Sequence, residues 1–320
     1  MSLTVADVLA LPDLASMRLR AGQAGRDNAV RWPYVAENEG IADWVMGGEL
    51  IFVTGINHPR DEANLLRLVR EGHERIVAGM VILPGAEYIQ AIPPSVIAEA
   101  ERLGLPLIEQ PYALKMVVVT QAIGTALVHA QQLGRSRQHV LEQVLDGDYQ
   151  SLDLLLQRGD SLGLALHVPR QVALLRLDGS EQLFGDLAGE DAERQLQSRQ
   201  QLLQRRLEQS LGERGEALPL VSQGRHWIAL LPCPTPQDEA RNRQVMTALL
   251  DELRPQLGPL RLFLGLGSAG CDAPRFAQGL GEARQALAVA QRFPERLGLC
   301  SFNELGVLEL LGAIRDRSLL

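Results

Sequence analysis

The chain has 320 residues, of which 46% are hydrophobic and 22% are charged, a balance typical of a folded globular protein with room for two domains. Its formal net charge of -8 opposes direct binding to nucleic acid, because duplex DNA is bound through basic surfaces that neutralise phosphates. The sequence shows neither a secretory signal pattern nor an apolar run long enough to cross a bilayer. We therefore expect a cytoplasmic protein.

Strand-like and helix-like segments alternate in the first part of the chain. A short helix is predicted to begin after Thr4, because Asp7 stands at the capping-box spacing from it. Three apolar runs then predict buried strands, and two amphipathic segments between them predict helices. The strands are residues 50–54, 79–83 and 105–108, and the helices are residues 61–72 and 94–103. This alternation predicts an α/β domain with a parallel sheet over residues 1–128.

The middle of the chain is predicted to be helical. Residues 114–162 form a nearly continuous helical pattern with interruptions at Gly134 and Gly147. An apolar stripe within it consists of Val140, Leu141, Val144 and Leu145. Two interpretations bury this stripe equally well: the helices pack on their own domain, or they form a dimerising connector over residues 129–165.

A second α/β domain is predicted over residues 166–320. Its elements follow the order β-α-β-β-α-β-α-β, which is typical of a ferredoxin-like sheet with additions. The predicted strands are residues 171–177, 218–221, 227–231, 260–264 and 299–302. One predicted helix ends near residue 211, and two further helices cover residues 239–257 and 274–293.

Segments of both α/β domains carry a resemblance to one known family. Residues 3–9, 47–55 and 103–108 resemble the amino-terminal sensory domain of PucR-type purine-catabolism regulators, which are bacterial transcription regulators. Residues 172–178, residues 265–267 and the helix with Glu282, Ala283, Ala286 and Leu287 are similar to the degenerate GGDEF-like domain of that family. The resemblance implies a sensory domain, a GGDEF-like domain and a further helix-turn-helix domain, which the sequence up to Leu320 does not include.

The carboxyl edge of the first sheet is the predicted ligand-binding site. In parallel sheets, small molecules bind where loops leave the carboxyl ends of the strands. Three such loops supply Thr54, Gly55 and Asn57, then Pro84 and Gly85, then Glu109 and Tyr112. Ordinary turn chemistry explains any one of these loops alone, whereas their convergence favours a ligand site.

The glycine-rich segment before the first predicted strand is a candidate flap over that site. It runs from Trp44 to Glu49. The indole of Trp44 has the shape to stack on a planar ligand, although a position in the core is the favoured explanation of this residue.

Other chemistries find little support in the sequence. Residues 265–270 match G-x-G-x-x-G, but further residues intervene before the next helix, so a dinucleotide site is not expected. Asp178 alone would hold magnesium and a triphosphate poorly, and the only lysine, Lys115, is not part of a phosphate-binding loop. The spacing of the histidines and of Cys233, Cys271 and Cys300 indicates no metal site. We expect no catalytic residues, cofactor or metal.

Two classes of function remain besides a sensor. The first hypothesis is a homodimeric regulator region that binds a small effector, purine-related or another nitrogen compound, and reaches DNA only through the missing helix-turn-helix domain. One alternative is a nucleotide-handling enzyme that uses the GGDEF-like domain. The other is a dimerisation module that senses no ligand. A co-purified small molecule would distinguish the sensor from both alternatives.

Overall fold

The computed structural model describes residues 3–56, 58–85, 87–186, 189–212, 218–293 and 298–306. The chain divides into two compact units, Met1–Gly134 and Arg135–Leu320. Each unit holds a five-stranded sheet packed against helices, so the mixed α/β class that the sequence predicts is confirmed. None of the helices within the described ranges has both the length and the apolar character needed to cross a membrane.

Five strands form the sheet of the first unit. They are β1 (Arg18–Ala21), β2 (Trp32–Val35), β3 (Glu49–Val53), β4 (Gly79–Ile82) and β5 (Leu107–Glu109). Their order across the sheet is β1-β5-β4-β3-β2. Strands β2 to β5 pair in parallel, whereas β1 pairs with β5 antiparallel. The predicted parallel sheet is confirmed, and β1 and β2 extend it at its two edges.

Helices cover both faces of this sheet. The helices are α1 (Val5–Leu9), α2 (Glu62–Glu74), α3 (Pro94–Leu103) and the first part of α4 (Met116–Asp146). The predicted capping box of Thr4 and Asp7 opens α1. Apolar side chains alternate between the two faces along β3: Ile51 packs in the core beneath α2 and α3, and Phe52 packs in the core beneath α1 and α4.

Helix α4 continues through Gly134, where we had expected an interruption. A single glycine inside a helix costs only about 1 kcal/mol relative to alanine, which the turns on either side outweigh. The second predicted interruption is confirmed, because the helix ends before Gly147, whose φ of 71° is the left-handed conformation of a helix terminus. Helix α5 (Leu152–Ser161) follows, with the Ser151 hydroxyl accepting a hydrogen bond at its first turn.

The sheet of the second unit is mainly antiparallel. Its strands are β6 (Arg170–Asp178), β7 (Val221–Gln223), β8 (His226–Pro232), β9 (Arg261–Leu266) and β10 (Leu299–Ser301), in the order β10-β9-β6-β8-β7. The four strands β9-β6-β8-β7 have the ferredoxin-like order that the sequence predicts, and β10 is added in parallel to β9. The helices are α6 (Ser180–Asp186), α7 (Gly189–Gly212), α8 (Pro236–Leu253) and α9 (Phe276–Arg292).

The apolar stripe of Val140, Leu141, Val144 and Leu145 lies inside the second unit. All four side chains are at most 2% exposed, and they share one core with Val172 of β6, Leu155 of α5 and Phe276 of α9. The interpretation of this stripe as a seam for a partner chain is therefore wrong, because the chain's own helices and sheet already cover it. The alternative interpretation, packing on its own domain, is confirmed.

Candidate functional site

Three loops begin side by side at the carboxyl edge of the first sheet. The main-chain pairing of the strands continues into them, because the N–H of Leu83 donates to the carbonyl oxygen of Val53 at 3.1 Å. In the same way the N–H of Gln110 donates to the carbonyl oxygen of Ile82 at 2.9 Å. The loops after β3, β4 and β5 thus start from adjacent positions, as parallel strands require.

The first and second loops touch at Gly55. This glycine has a φ of 77°, and a Cβ atom there would lie 3.0 Å from Cβ of Tyr88 and 3.2 Å from Cγ1 of Ile89. The second loop is itself closed by a hydrogen bond of 2.7 Å from the N–H of Gly85 to the carbonyl oxygen of Ile89. Glycine at position 55 therefore allows two strand-end loops to pack directly on each other.

The second and third loops touch at Gly85. A Cβ atom at this residue would lie only 2.7 Å from Cδ2 of Tyr112, so the tyrosine ring rests against the glycine backbone. The other side of the ring is open, since Tyr112 is 72% exposed. Pro84, beside this contact, is half-buried. The three loops that the sequence singles out thus form one continuous surface with an exposed aromatic ring.

The first loop also contains Thr54, which makes a local turn. Its hydroxyl oxygen accepts the N–H of Ile56 at 3.3 Å, and the Ile56 side chain is exposed. Asn57, the next residue predicted for the site, lies outside the described residues. The predicted first loop is therefore observed only up to Ile56.

Glu109 ends β5 and forms an ion pair with Arg20 of β1. Both side chains are partly exposed, at 27% and 42%. Arg18 lies directly opposite Glu109 in the strand register and is also exposed. The antiparallel strand β1, absent from the sequence prediction, thus brings two arginines to the same edge as the predicted site.

Gln110 is a buried polar residue of this edge that the sequence analysis placed in a loop but not in the site. Its side-chain N–H donates to the carbonyl oxygen of Leu114 at 2.9 Å, and the residue is fully buried. The Oε1 atom has no hydrogen-bond donor among the described residues. A buried acceptor left without a donor costs about 1–3 kcal/mol, and this oxygen, which is itself closed off from solvent, is an unsatisfied polar atom at this edge. The sequence signal that could have placed Gln110 in the site is its position as a polar side chain near the end of a buried strand.

Arg60 is a second buried residue that the sequence analysis missed. Its guanidinium donates to the carbonyl oxygens of Ala36 at 2.9 Å and Asn38 at 2.8 Å and thereby fixes the segment after β2. Burial lowers the pKa of Arg60 from its ordinary value, with the positive charge of Arg67 acting in the same direction. Nothing in the local sequence pattern reveals this role, because the partners come from a distant segment.

Trp44 and Glu49 lie away from the three loops. Glu49 is the first residue of β3, so it marks the amino end of the strand that Thr54 follows, about 16 Å along a strand at 3.3 Å per residue. Its buried carboxylate accepts the N–H groups of Met46 and Gly47, each at 2.8 Å. Trp44 precedes this turn and is 61% exposed, so the prediction of a core position for it is wrong. The structure therefore does not bring the predicted flap together with the carboxyl-edge residues.

Asp178, the one candidate metal carboxylate that the sequence analysis weighed in the second unit, is hydrogen-bonded to side chains of its own unit. The Asp178 carboxylate, at the end of β6, accepts hydrogen bonds from Arg176 at 2.7 Å and from Gln291. The adjacent β7–β8 turn consists of Gly224 and Arg225 and carries no acidic side chain. No cluster of three metal-ligating side chains occurs in the part of the chain that the structure describes.

The glycines of the G-x-G-x-x-G match serve helix packing. A Cβ atom at Gly265 would lie 2.1 Å from the carbonyl oxygen of Ala283, and one at Gly267 would lie 2.4 Å from that of Gly279. Both residues therefore allow α9 to lie directly against β9. Packing accounts for this motif without a bound dinucleotide.

Comparisons with known proteins match both units. A family model described as the purine catabolism regulatory protein-like family, PucR, matches residues 7–127. A model described as a GGDEF-like domain matches residues 146–289. A curated protein of Bacillus subtilis (strain 168), the purine catabolism regulatory protein, is 26% identical over 120 residues. That match covers 38% of this chain but only 22% of the Bacillus protein.

Proposed function

The chain joins a PucR-like domain to a GGDEF-like domain, and from this premise we propose that it is the effector-sensing and dimerising region of a transcription regulator. The effector is a small metabolite, purine-related or another nitrogen compound. The regulator controls a catabolic operon through a helix-turn-helix domain outside the two matched regions. The similarity to a regulatory protein supports the regulatory role.

One observation carries the sensing proposal: the loops after β3, β4 and β5 contact one another. Glycine-mediated contacts join Gly55 to Tyr88 and Gly85 to Tyr112. The resulting surface presents an exposed aromatic ring, and the buried Gln110 oxygen lies at the start of the third loop. An apolar surface with a few convergent polar groups is the usual composition of a small-molecule site. A planar ligand with an N–H donor matches both features.

DNA contact is assigned to another part of the regulator because of charge. The net charge of -8 disfavours approach to phosphates. Sensing would then be allosteric, so the effector must bind two arrangements of the protein with different affinity. Gel-shift assays with this chain at physiological salt should show no retained DNA.

The enzyme alternative is less well supported than the sensor. The Asp178 carboxylate is held by Arg176 and Gln291, which leaves it poorly placed to bind a metal–nucleotide complex. We therefore propose that the chain is not an enzyme and uses no cofactor. Incubation with GTP and magnesium should give no cyclic dinucleotide, and formation of one would overturn this part of the proposal.

The sensing proposal is tested by a thermal-shift screen of purines, purine breakdown products, amino acids and amines. A ligand at a hundred times its dissociation constant stabilises its target by about 2.7 kcal/mol, which raises the unfolding temperature by about 5–10 °C. Tyr112→Ala should abolish that shift, whereas Phe184→Ala, which removes an exposed ring from the second unit, should retain it. Absence of any shift in the wild-type chain, or a shift that Tyr112→Ala leaves intact, would refute the proposed site.

A further inference from the structure

A cavity of about 470 Å³ lies in the second unit, at the end of the sheet where β6 ends and β9 begins. Its volume falls within the range of about 300–1,000 Å³ that small-molecule sites occupy. The lining comes from α6, the end of α8, the loop that follows α8, the first half of β9 and the residue before β10. All lining residues belong to the second unit, whereas the three strand-end loops belong to the first.

The walls of this cavity are apolar. Removal of apolar surface from water is the main driving force for binding at such a surface, so the walls favour a ligand with an apolar body. The sugar and phosphate groups of a nucleotide would lie against these side chains without hydrogen-bond partners, so a nucleotide fits poorly. Leu262 is half-buried and the other apolar side chains are buried. The apolar lining consists of Leu250, Leu257, Leu260, Leu262 and Phe263.

The loop between α8 and β9, which forms one wall, is held in place by its own unit. The Arg199 guanidinium of α7 donates to the carbonyl oxygen of Gln256. A Cβ atom at Gly179 would lie 3.0 Å from the carbonyl oxygen of Pro259, so the turn after β6 packs directly on the loop. The wall is therefore formed before any ligand arrives, which lowers the entropic cost of binding.

The charged groups that line the cavity are both arginines. Arg254 and Arg261 line it together with Gln182, and none of the lining residues that the structure describes is acidic. The whole chain, in contrast, has 39 acidic residues and only 31 basic ones. Two guanidinium groups without a carboxylate beside apolar walls match a ligand that carries a negative charge.

Both arginines have guanidinium groups that a ligand can reach. Arg261 is exposed and forms no ion pair within the described ranges of the chain. It lies opposite Asp178 in the strand register, but the Asp178 carboxylate accepts hydrogen bonds from Arg176 and Gln291 instead. Arg254 pairs with Asp251 at 3.4 Å through side chains that are 57% and 54% exposed. Such exposed pairs are weak, so a carboxylate ligand can compete with Asp251.

We propose that this cavity binds a small carboxylic acid with an apolar body, aromatic or branched aliphatic. Its carboxylate pairs with Arg254 and Arg261, and its body lies against the leucines and Phe263. A guanidinium and a carboxylate form charge-assisted hydrogen bonds, which are about twice as strong as those of a neutral acceptor. This second site is independent of the effector site proposed for the first unit.

Isothermal titration calorimetry of the full chain with naphthoate tests the second site, and naphthamide is the neutral probe of the same shape. The wild-type chain should bind naphthoate at least tenfold more tightly than naphthamide. Arg261→Gln should weaken naphthoate binding about tenfold or more and leave naphthamide binding nearly unchanged, because it removes the charge but keeps the apolar walls. Arg261→Gln combined with Arg254→Gln should bind the two probes equally.

Arg241→Gln is the matched control for charge. Arg241 is exposed on the same helix α8, about 13.5 Å along the helix axis from Leu250, and it does not line the cavity. This variant should leave the affinity for both probes unchanged. Leu262→Gln, which puts an amide into the apolar wall, should weaken both probes about fivefold or more. Circular dichroism checks that each variant is folded.

Tyr112→Ala identifies the unit that binds the probe. It should leave naphthoate binding unchanged, and loss of binding would place the probe in the first unit and overturn the second site. The second site is also refuted if the wild-type chain binds no naphthoate at about millimolar concentration, if it binds both probes equally, or if Arg261→Gln and Arg241→Gln weaken binding alike. Intact naphthoate binding without any response in the thermal-shift screen of effectors would defeat the sensing proposal alone.

Discussion

The two halves of α4 differ in where their side chains are buried. The strand ends of the two sheets differ in how their polar groups are hydrogen-bonded. The second half of α4 buries Leu141 completely in the second unit, whereas the first half leaves Val128 exposed. In the second unit, the loop after β9 is closed by Glu282, whose buried carboxylate accepts the N–H of Ser268 at 2.9 Å. In the first unit, Gln110 after β5 retains an acceptor without a donor among the described residues. Buried side-chain atoms without a partner among the described residues occur in both units, and Gln143 Oε1 and Trp227 Nε1 are two in the second, so the contrast concerns these strand ends alone.

The largest expected effect separates a fully buried position of α4 from an exposed one. Leu141→Ala should lower the free energy of unfolding of the second unit by about 2–5 kcal/mol, because it removes a fully buried side chain from a packed core. Val128→Ala should change stability by no more than about 0.5 kcal/mol in the monomer. Urea denaturation followed by circular dichroism compares the two. Similar losses for both variants would contradict the difference in burial between Leu141 and Val128.

A smaller effect should separate the two strand-end carboxylates. Glu282→Gln should destabilise the second unit by about 1–2 kcal/mol, since it weakens hydrogen bonds to a buried charged acceptor. Glu109→Gln should cost less than about 1 kcal/mol, because its ion pair with Arg20 is partly exposed to solvent. Thermal unfolding of both variants measures the two losses of stability. A larger loss for Glu109→Gln than for Glu282→Gln would contradict this prediction.

The Glu282 carboxylate should make the stability of the second unit sensitive to acid. Burial opposes ionisation of Glu282, but hydrogen bonds from Ser268 and Gln278 outweigh it and hold the pKa below its ordinary value of 4.5. A group with a lowered pKa in the folded state stabilises the fold fully above pH 4.5 and loses that contribution as the pH falls through the folded value. Unfolding temperatures at pH 6 and pH 3.5 should therefore differ less in Glu282→Gln than in the wild type. An unchanged difference would count against this role.

The smallest expected change in stability concerns Gln110. Gln110→Leu removes the unpaired Oε1 atom but also the hydrogen bond to Leu114, so the two effects should nearly cancel, within about 1 kcal/mol. Effector binding should nevertheless fall, if this oxygen accepts a hydrogen bond from the ligand. A thermal-shift titration with any effector found by screening tests this. Retained affinity would place the ligand elsewhere on the edge.

The sequence predicted the parts of the fold that local pattern controls. Strand β4 and the part of β3 after Glu49 are apolar and buried on both faces, so the expected strands at residues 50–54 and 79–83 match them closely. Strand β1 consists of two arginines, a leucine and an alanine, and β2 contains a proline; both lie at edges, where such residues are tolerated. They were missed because β1 alternates arginine with apolar residues over only four positions and β2 is interrupted by its proline.

The candidate site was predicted less completely than the fold. The three strand-end loops could be found because strand direction alone brings them to one edge. The role of Arg60 depends on contacts with a distant segment, which periodicity does not encode, whereas Gln110 directly follows a buried strand and could have been included. Glu49 was grouped with the site because of its neighbouring glycines, although the length of β3 separates it from the carboxyl edge.

The single lysine of the chain provides a natural reporter position. Lys115 is exposed, follows Tyr112 by three residues, and its carbonyl oxygen accepts the N–H of Val118 in the first turn of α4. All three cysteines are buried, so thiol reagents have poor access to the folded chain. An amine-reactive fluorophore would instead attach at Lys115 and at the amino terminus, with no engineered residue. Its emission would then follow events at the third loop and at the start of α4 in the unmodified sequence.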